Sequence, residues 1–140
     1  MDDMVRAAMA KWPHVPDCTG WLALCERGHW WLRDAAVQAA GPFAGPDSTP
    51  ASKGSRLEHA GLIEFIGRNY SADARGQWFF QNGPQRVYVT LANTPWVLRL
   101  GMHTQGPQWH THTGEAVQPL DAWTDHQGRV YLLTALGFGV

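Results

Sequence analysis

Two groups of side chains in this 140-residue sequence have types and spacings that could do chemistry. The first is His103, His110, His112 and Glu115. Side chains on a β-strand repeat every two residues, so His110 and His112 would share one face. Three imidazoles and a carboxylate make a donor set that suits a divalent transition metal such as zinc, iron, manganese or nickel. The second group is Phe79, Gln81, Arg86 and Tyr88, one polar-aromatic face of a hairpin turning at Asn82-Gly83. A two-residue loop there pairs Phe80 with Gln85, Phe79 with Arg86 and Trp78 with Val87. Arg86 across from Phe79 is placed for a cation–π contact, worth roughly 0.5–1 kcal/mol at an exposed site. Such a face suits a flat small ligand, a peptide, a protein partner or a symmetric homodimer contact. It equally suits a core surface covered by another hairpin.

The histidine group resembles the first motif of cupins and departs from it in three ways. His112 and Glu115 are too close in sequence, the flanking glycines are missing, and no second motif follows, since only His126 remains, in a turn. Exposed loop residues are the plain alternative for Thr104-Gln105-Gly106-Pro107 and Thr113-Gly114. No catalytic residue is assigned. The sequence has no Gly-x-Ser-x-Gly elbow, no phosphate-binding Gly-x4-Gly-Lys-Ser/Thr loop and no His-Glu-x2-His helix. Lys11 and Lys53 are its only lysines. The divalent metal is the one cofactor its residues suggest. The functional expectation is therefore a non-enzymatic binding or assembly module, with a metal-dependent protein as the alternative.

Composition narrows the class. Eleven Lys and Arg against twelve Asp and Glu give a net charge of −1, without the basic excess of a nucleic-acid binder. No apolar run approaches the ~20 residues that span a bilayer. The start Met1-Asp2-Asp3 lacks a signal peptide's basic region. A cytoplasmic protein is expected, and Cys18 and Cys25 then read as reduced thiols. The length suits a single domain over 1–140.

Positioning of these residues rests on three turns: Cys25-Glu26-Arg27-Gly28, Asp73-Ala74-Arg75-Gly76 and Asp125-His126-Gln127-Gly128. Each precedes a run of β formers, and a fourth-position glycine can close a type I turn at positive φ. A three-residue loop sets Leu24 opposite Trp30 and Leu22 opposite Leu32, and groups Leu120, Ala122, Val130 and Leu132 in the third repeat. Strands are expected near 21–33, 77–100 and 120–134. A capping box, Ser55-Arg56-Leu57-Glu58, opens a helix predicted over 56–70, with Leu62, Ile63, Ile66 and Tyr70 as its apolar stripe. Residues 1–10 read as a terminal helix or tail, and 41–54 as a flexible loop. The class is α+β, mainly antiparallel hairpins with one packed helix. Trp30, Trp78 and Val130 are expected to point inward, toward Leu62 and Ile66.

The chain also resembles an uncharacterised family of small proteobacterial proteins classed as a domain of unknown function. The resemblance lies in Lys11-Trp12-Pro13 through Cys18-Thr19-Gly20-Trp21-Leu22, in Arg27-Gly28-His29-Trp30, and in the stretch from Lys53-Gly54-Ser55 to Val87-Tyr88-Val89. It implies no activity, cofactor or catalytic residue. Relatives are expected to run past Gly137-Phe138-Gly139-Val140, where this chain ends without a polar tail.

Overall fold

The computed structural model describes residues 1–140, which form four helices and twelve strands in three sheets. The chain folds as two compact units, one from Met1–Leu24 and Trp30–Ala92, the other from Cys25–His29 and Asn93–Val140. The architecture is mixed and mostly sheet, in keeping with α+β. No helix is long and apolar enough to cross a membrane.

The first unit begins with helix α1 (Asp3–Lys11), followed by β1 (Cys18–Leu24) and β2 (Trp30–Leu32). Helices α2 (Ala35–Ala39) and α3 (Pro50–Lys53) lead into β3 (Ser55–Arg56) and α4 (Ala60–Arg68). Strands β4 (Tyr70–Ala72), β5 (Trp78–Asn82) and β6 (Gln85–Leu91) complete it. The six strands form one sheet in the order β3-β2-β1-β6-β5-β4. β1 and β6 pair in parallel, and every other pair is antiparallel. Leu22, Ala23 and Leu24 are consecutively buried. That pattern belongs to a strand covered on both faces, rather than to one with a solvated side.

The β1–β2 register is the expected one, Leu24 with Trp30 and Leu22 with Leu32. The hairpin of β5 and β6 differs. Asn82 pairs with Gln85, so the loop is Gly83-Pro84, and Phe80 meets Val87 instead of Gln85. Gly83 has φ +57° and proline follows it, which matches a II′ turn with glycine first. The partners move by two residues, so the pleat is unchanged. Phe79, Gln81, Arg86 and Tyr88 still share a face.

Helix α4 is shorter than the predicted 56–70. Ser55 and Arg56 are taken into the sheet opposite Leu32 and Trp31, and the Leu57 amide donates to Trp30 O at 2.8 Å. Their backbone groups are spent on strand pairing, so the Ser55–Glu58 capping box does not open the helix. His59 caps it instead, its Nδ1 accepting from the Leu62 amide at 3.0 Å. At the other end Tyr70 pairs with Phe80. Ile66 is buried, Phe65 meets Phe80 edge-on at 5.5 Å, and Tyr70 lies between Trp30 and Trp78. Leu62 is 36% exposed, so the buried stripe is narrower than the sequence suggests.

Segment 41–54, read as a loop, contains α3 and the buried side chains of Phe43 and Ser52. Buried Arg33 secures it. Its Nε donates to Ser52 O at 3.0 Å, and Nη2 to Gly41 O at 2.7 Å. Replacing Arg33 with methionine keeps most of the apolar stem but leaves both carbonyls without these donors. The expected cost is about 1–3 kcal/mol. Hydrogen-exchange mass spectrometry should show faster exchange across 41–53; unchanged exchange would remove Arg33 from this role.

The second unit holds two three-stranded sheets. One has β7 (Leu98–His103), β8 (Gly106–Thr111) and β9 (Ala116–Val117) in that order. The other has β10 (Asp121–Thr124), β11 (Val130–Thr134) and β12 (Gly137–Gly139). The last part of the stretch expected as strand near 77–100 therefore belongs to β7, which begins at Leu98 and pairs with β8. Backbone bonds from Leu98 to Val140 and from Val140 to Trp96 join the sheets' ends. Trp96, Val97, Leu132 and Thr134 are buried. Ala122 faces Leu132 as predicted, but Val130 is 50% exposed and does not point inward. Trp30, at 2%, does.

All three repeated turns form alike. Gly28, Gly76 and Gly128 have φ of +82°, +78° and +78°, values cheap only for glycine. Each glycine amide donates to the carbonyl three residues back, at 3.1 Å in every case.

Candidate functional site

The middle turn and β6 build the site of greatest interest. Asp73 opens the turn, and its Oδ1 accepts from the amides of Arg75 and Gln77 at 2.8 and 2.9 Å. Its Oδ2 accepts from the Tyr88 hydroxyl at 2.9 Å. The Gln77 amide is the main influence holding the Asp73 carboxyl below its ordinary pKa, with burial opposing and Tyr88, Arg75 and the Arg86 charge assisting. Asp73 is thus a fixed anion whose oxygens are already engaged.

Tyr88 passes the connection onward. Its oxygen accepts from Arg86 Nη1 at 3.4 Å, and the Arg86 guanidinium carbon lies 3.9 Å from the centre of the Phe79 ring. The cation–π contact exists although Phe79 pairs with Tyr88 rather than with Arg86. The arginine reaches diagonally across the pleat, a span that long side chains cover readily.

The four expected residues share a face but not an environment. Phe79 and Gln81 are buried, at 4% and 2% exposure. Arg86 and Tyr88 are half-buried. Those two line a cavity of about 830 Å³ with Asp17, Thr19, Trp78 and Leu91. Gln81 and Arg86 also border a smaller cavity of about 280 Å³, closed by Met9, Trp12, Pro13 and Val15 of the N-terminal segment. Gln81 Nε2 donates to Gly83 O, while its buried Oε1 accepts from no protein group. A buried acceptor in a cavity of that size is well placed to accept a hydrogen bond from water or ligand. The chain therefore covers the Phe79–Gln81 half of the face and leaves the Arg86–Tyr88 half facing a cavity. Asp17 and the turn Asp73–Trp78 were not read as site residues. The Asp-x-x-Gly turn followed by Tyr88 was the available signal.

The histidine group does not assemble. The rings of His103 and His110 lie 5.3 Å apart between centroids. His103 also lies beside Gly101. His112 goes elsewhere because β8 ends at Thr111 and the chain turns, so the two-residue alternation no longer applies. Its Nδ1 accepts from the Val97 amide at 3.1 Å, and its ring packs on Trp96. Burial, aided by the Arg99 charge, lowers its pKa to about 4. Glu115 is exposed, and its backbone pairs with Thr111. No group of three or more His, Cys, Asp or Glu side chains is placed to hold a metal ion. His103, His110, His112 and Glu115 are therefore not one donor set, which corrects the metal expectation.

Among known proteins, a family model described as "Protein of unknown function (DUF2946)" matches residues 1–140. No curated protein matches the chain. Among solved structures, a DUF1285 family protein from Silicibacter pomeroyi DSS-3 is similar, with a TM-score of 0.52 at 8% identity. The alignment covers 100% of this chain and 79% of that one. At that identity the likeness concerns the fold alone.

Proposed function

The chain belongs to the family described as Protein of unknown function (DUF2946), and from its own geometry we propose that it is a binding module for a small organic ligand. The ligand occupies the cavity between the Asp73–Trp78 turn and β6. One observation carries this reading: beside the buried Phe79 and Gln81, Arg86 and Tyr88 stay half-buried against a cavity of about 830 Å³. That volume falls within the ~300–1,000 Å³ common for ligand sites. The lining includes Arg86, Tyr88, Thr19 and two carboxylates, polar groups that can orient a ligand. Tyr88 and Arg86 are held before any ligand arrives, which lowers the ordering cost of binding.

Saturation-transfer NMR against a panel of small ring-bearing polar molecules tests the proposal. Binders are expected, and Thr19→Trp, which fills the cavity from β1, should weaken them about tenfold or more. A silent panel, or binding indifferent to Thr19→Trp, would contradict it.

A further inference from the structure

We infer that the ligand carries an organic oxyanion, a carboxylate or phosphate monoester, gripped by the Arg86 guanidinium; this rests on the cavity being the ligand site. The argument begins with a comparison inside the chain. The turns at Asp73 and Asp125 are built alike. Each aspartate binds two turn amides through Oδ1 and a tyrosine hydroxyl through Oδ2. Each also has an arginine nearby, Arg129 within its turn and Arg86 on β6, and the two differ in their partners.

Arg129 is saturated with carboxylates. Its Nε donates to Asp125 Oδ2 at 2.7 Å, and its Nη1 to Glu26 at 3.1 Å. Arg86 forms no ion pair. It makes the one long bond to Tyr88 from Nη1 and lies over the Phe79 ring, so its other N–H donors bond no protein group. Asp73 feels the Arg86 charge but forms no ion pair with it, its oxygens bonding the turn amides and Tyr88. A half-buried guanidinium with spare donors and no carboxylate is a poor arrangement for stability alone. Its fork matches the two oxygens of a carboxylate or phosphate.

The rest of the cavity sets the remaining chemistry. Asp17 and Asp73 are also in the lining, so the negative group must be compact and confined to the Arg86 end. Trp78, Val89 and Leu91 border the cavity too, but they alternate to the other side of the pleat. Exposed Arg75 at the turn's tip adds positive charge to the rim.

Three probes with a common ring test this: benzoate, phenyl phosphate and benzyl alcohol, titrated against the full chain and followed by saturation-transfer NMR. Benzoate or phenyl phosphate should bind at least about tenfold more tightly than benzyl alcohol, and the tighter of the two identifies the head group. Arg86→Gln should remove that advantage and leave benzyl alcohol unchanged, while Arg86→Lys should restore part of it, a point charge without the fork. Circular dichroism confirms that each variant is folded; should Arg86→Gln fail, Arg86→Lys against the wild type carries the comparison. Equal binding of all three probes, displaced by Thr19→Trp, would overturn the oxyanion inference and keep the cavity as a ligand site. Binding of none would overturn both.

Discussion

Trp30→Ala is expected to destabilise the first unit by roughly 3–5 kcal/mol, the range for removing a large aromatic from a packed core. Trp30 is 2% exposed, sits on the strand between β1 and β3, and meets the edge of Tyr70 at 5.2 Å with the planes 83° apart. Tyr70 in turn contacts Trp78 at 4.9 Å. Removing the indole opens a void beside a ring on the far strand β4, across a sheet whose own strands keep both ends fixed. Limited collapse is why the upper part of the range is expected. Trp78→Ala, at a half-buried ring, should cost less. Urea unfolding checks both; a loss below about 1 kcal/mol for Trp30→Ala would mean that the aromatic row is not the core of this unit.

The second large effect depends on pH and belongs to the other unit. His112 has a folded pKa of about 4 against an ordinary 6.5, so the unfolded chain takes up the proton first on acidification. Its contribution is complete above pH 6.5 and is lost as the pH falls toward 4. A shift of that size corresponds to about 3 kcal/mol across the window. Burial is the main reason and the Arg99 charge the second; Nδ1 also accepts from the Val97 amide, where a protonated imidazole has no lone pair to offer. Asp73 and Asp125 are held below the usual carboxylate range, so their losses fall at lower pH. His112→Asn presents an oxygen to the same amide without titrating. Stability measured from pH 7 to 4 should fall for the wild type and stay nearly level for the variant. Parallel curves would exclude His112 as the source.

How far the sequence could be read depends on the range of the signal. Turns with Asp or Cys first and glycine fourth are local, and they set the pairings of Leu24 with Trp30 and of Ala122 with Leu132. The Asn82-Gly83 signal is also local, but Pro84 moved the loop by one residue. Pleat parity survived that move, so the face of Phe79, Gln81, Arg86 and Tyr88 was legible while its pairing was not. The parallel contact of β1 with β6 joins segments far apart in the chain, and only the unbroken apolar run Leu22-Ala23-Leu24 hints at it. The helix start was misplaced because a good capping box at Ser55 lost to strand pairing, a tertiary effect. The histidine group failed at one residue, where β8 stops at Thr111 and His112 leaves the pleat. The cavity shared by Met9–Val15 with Gln81 and Arg86 had no sequence signal, since nothing local ties that segment to Gln81.

Accessibility of Arg86 is the point on which the binding account turns, and arginine-selective dicarbonyl labelling read by mass spectrometry measures it most directly. Arg33, 5% exposed and bonded to Ser52 and Gly41, is the protected standard; exposed Arg75 is the open one. The account predicts that Arg86 is modified at a rate within about tenfold of Arg75 and far faster than Arg33, and that benzoate or phenyl phosphate slows it selectively. Protection of Arg86 equal to that of Arg33 in the free protein would contradict it.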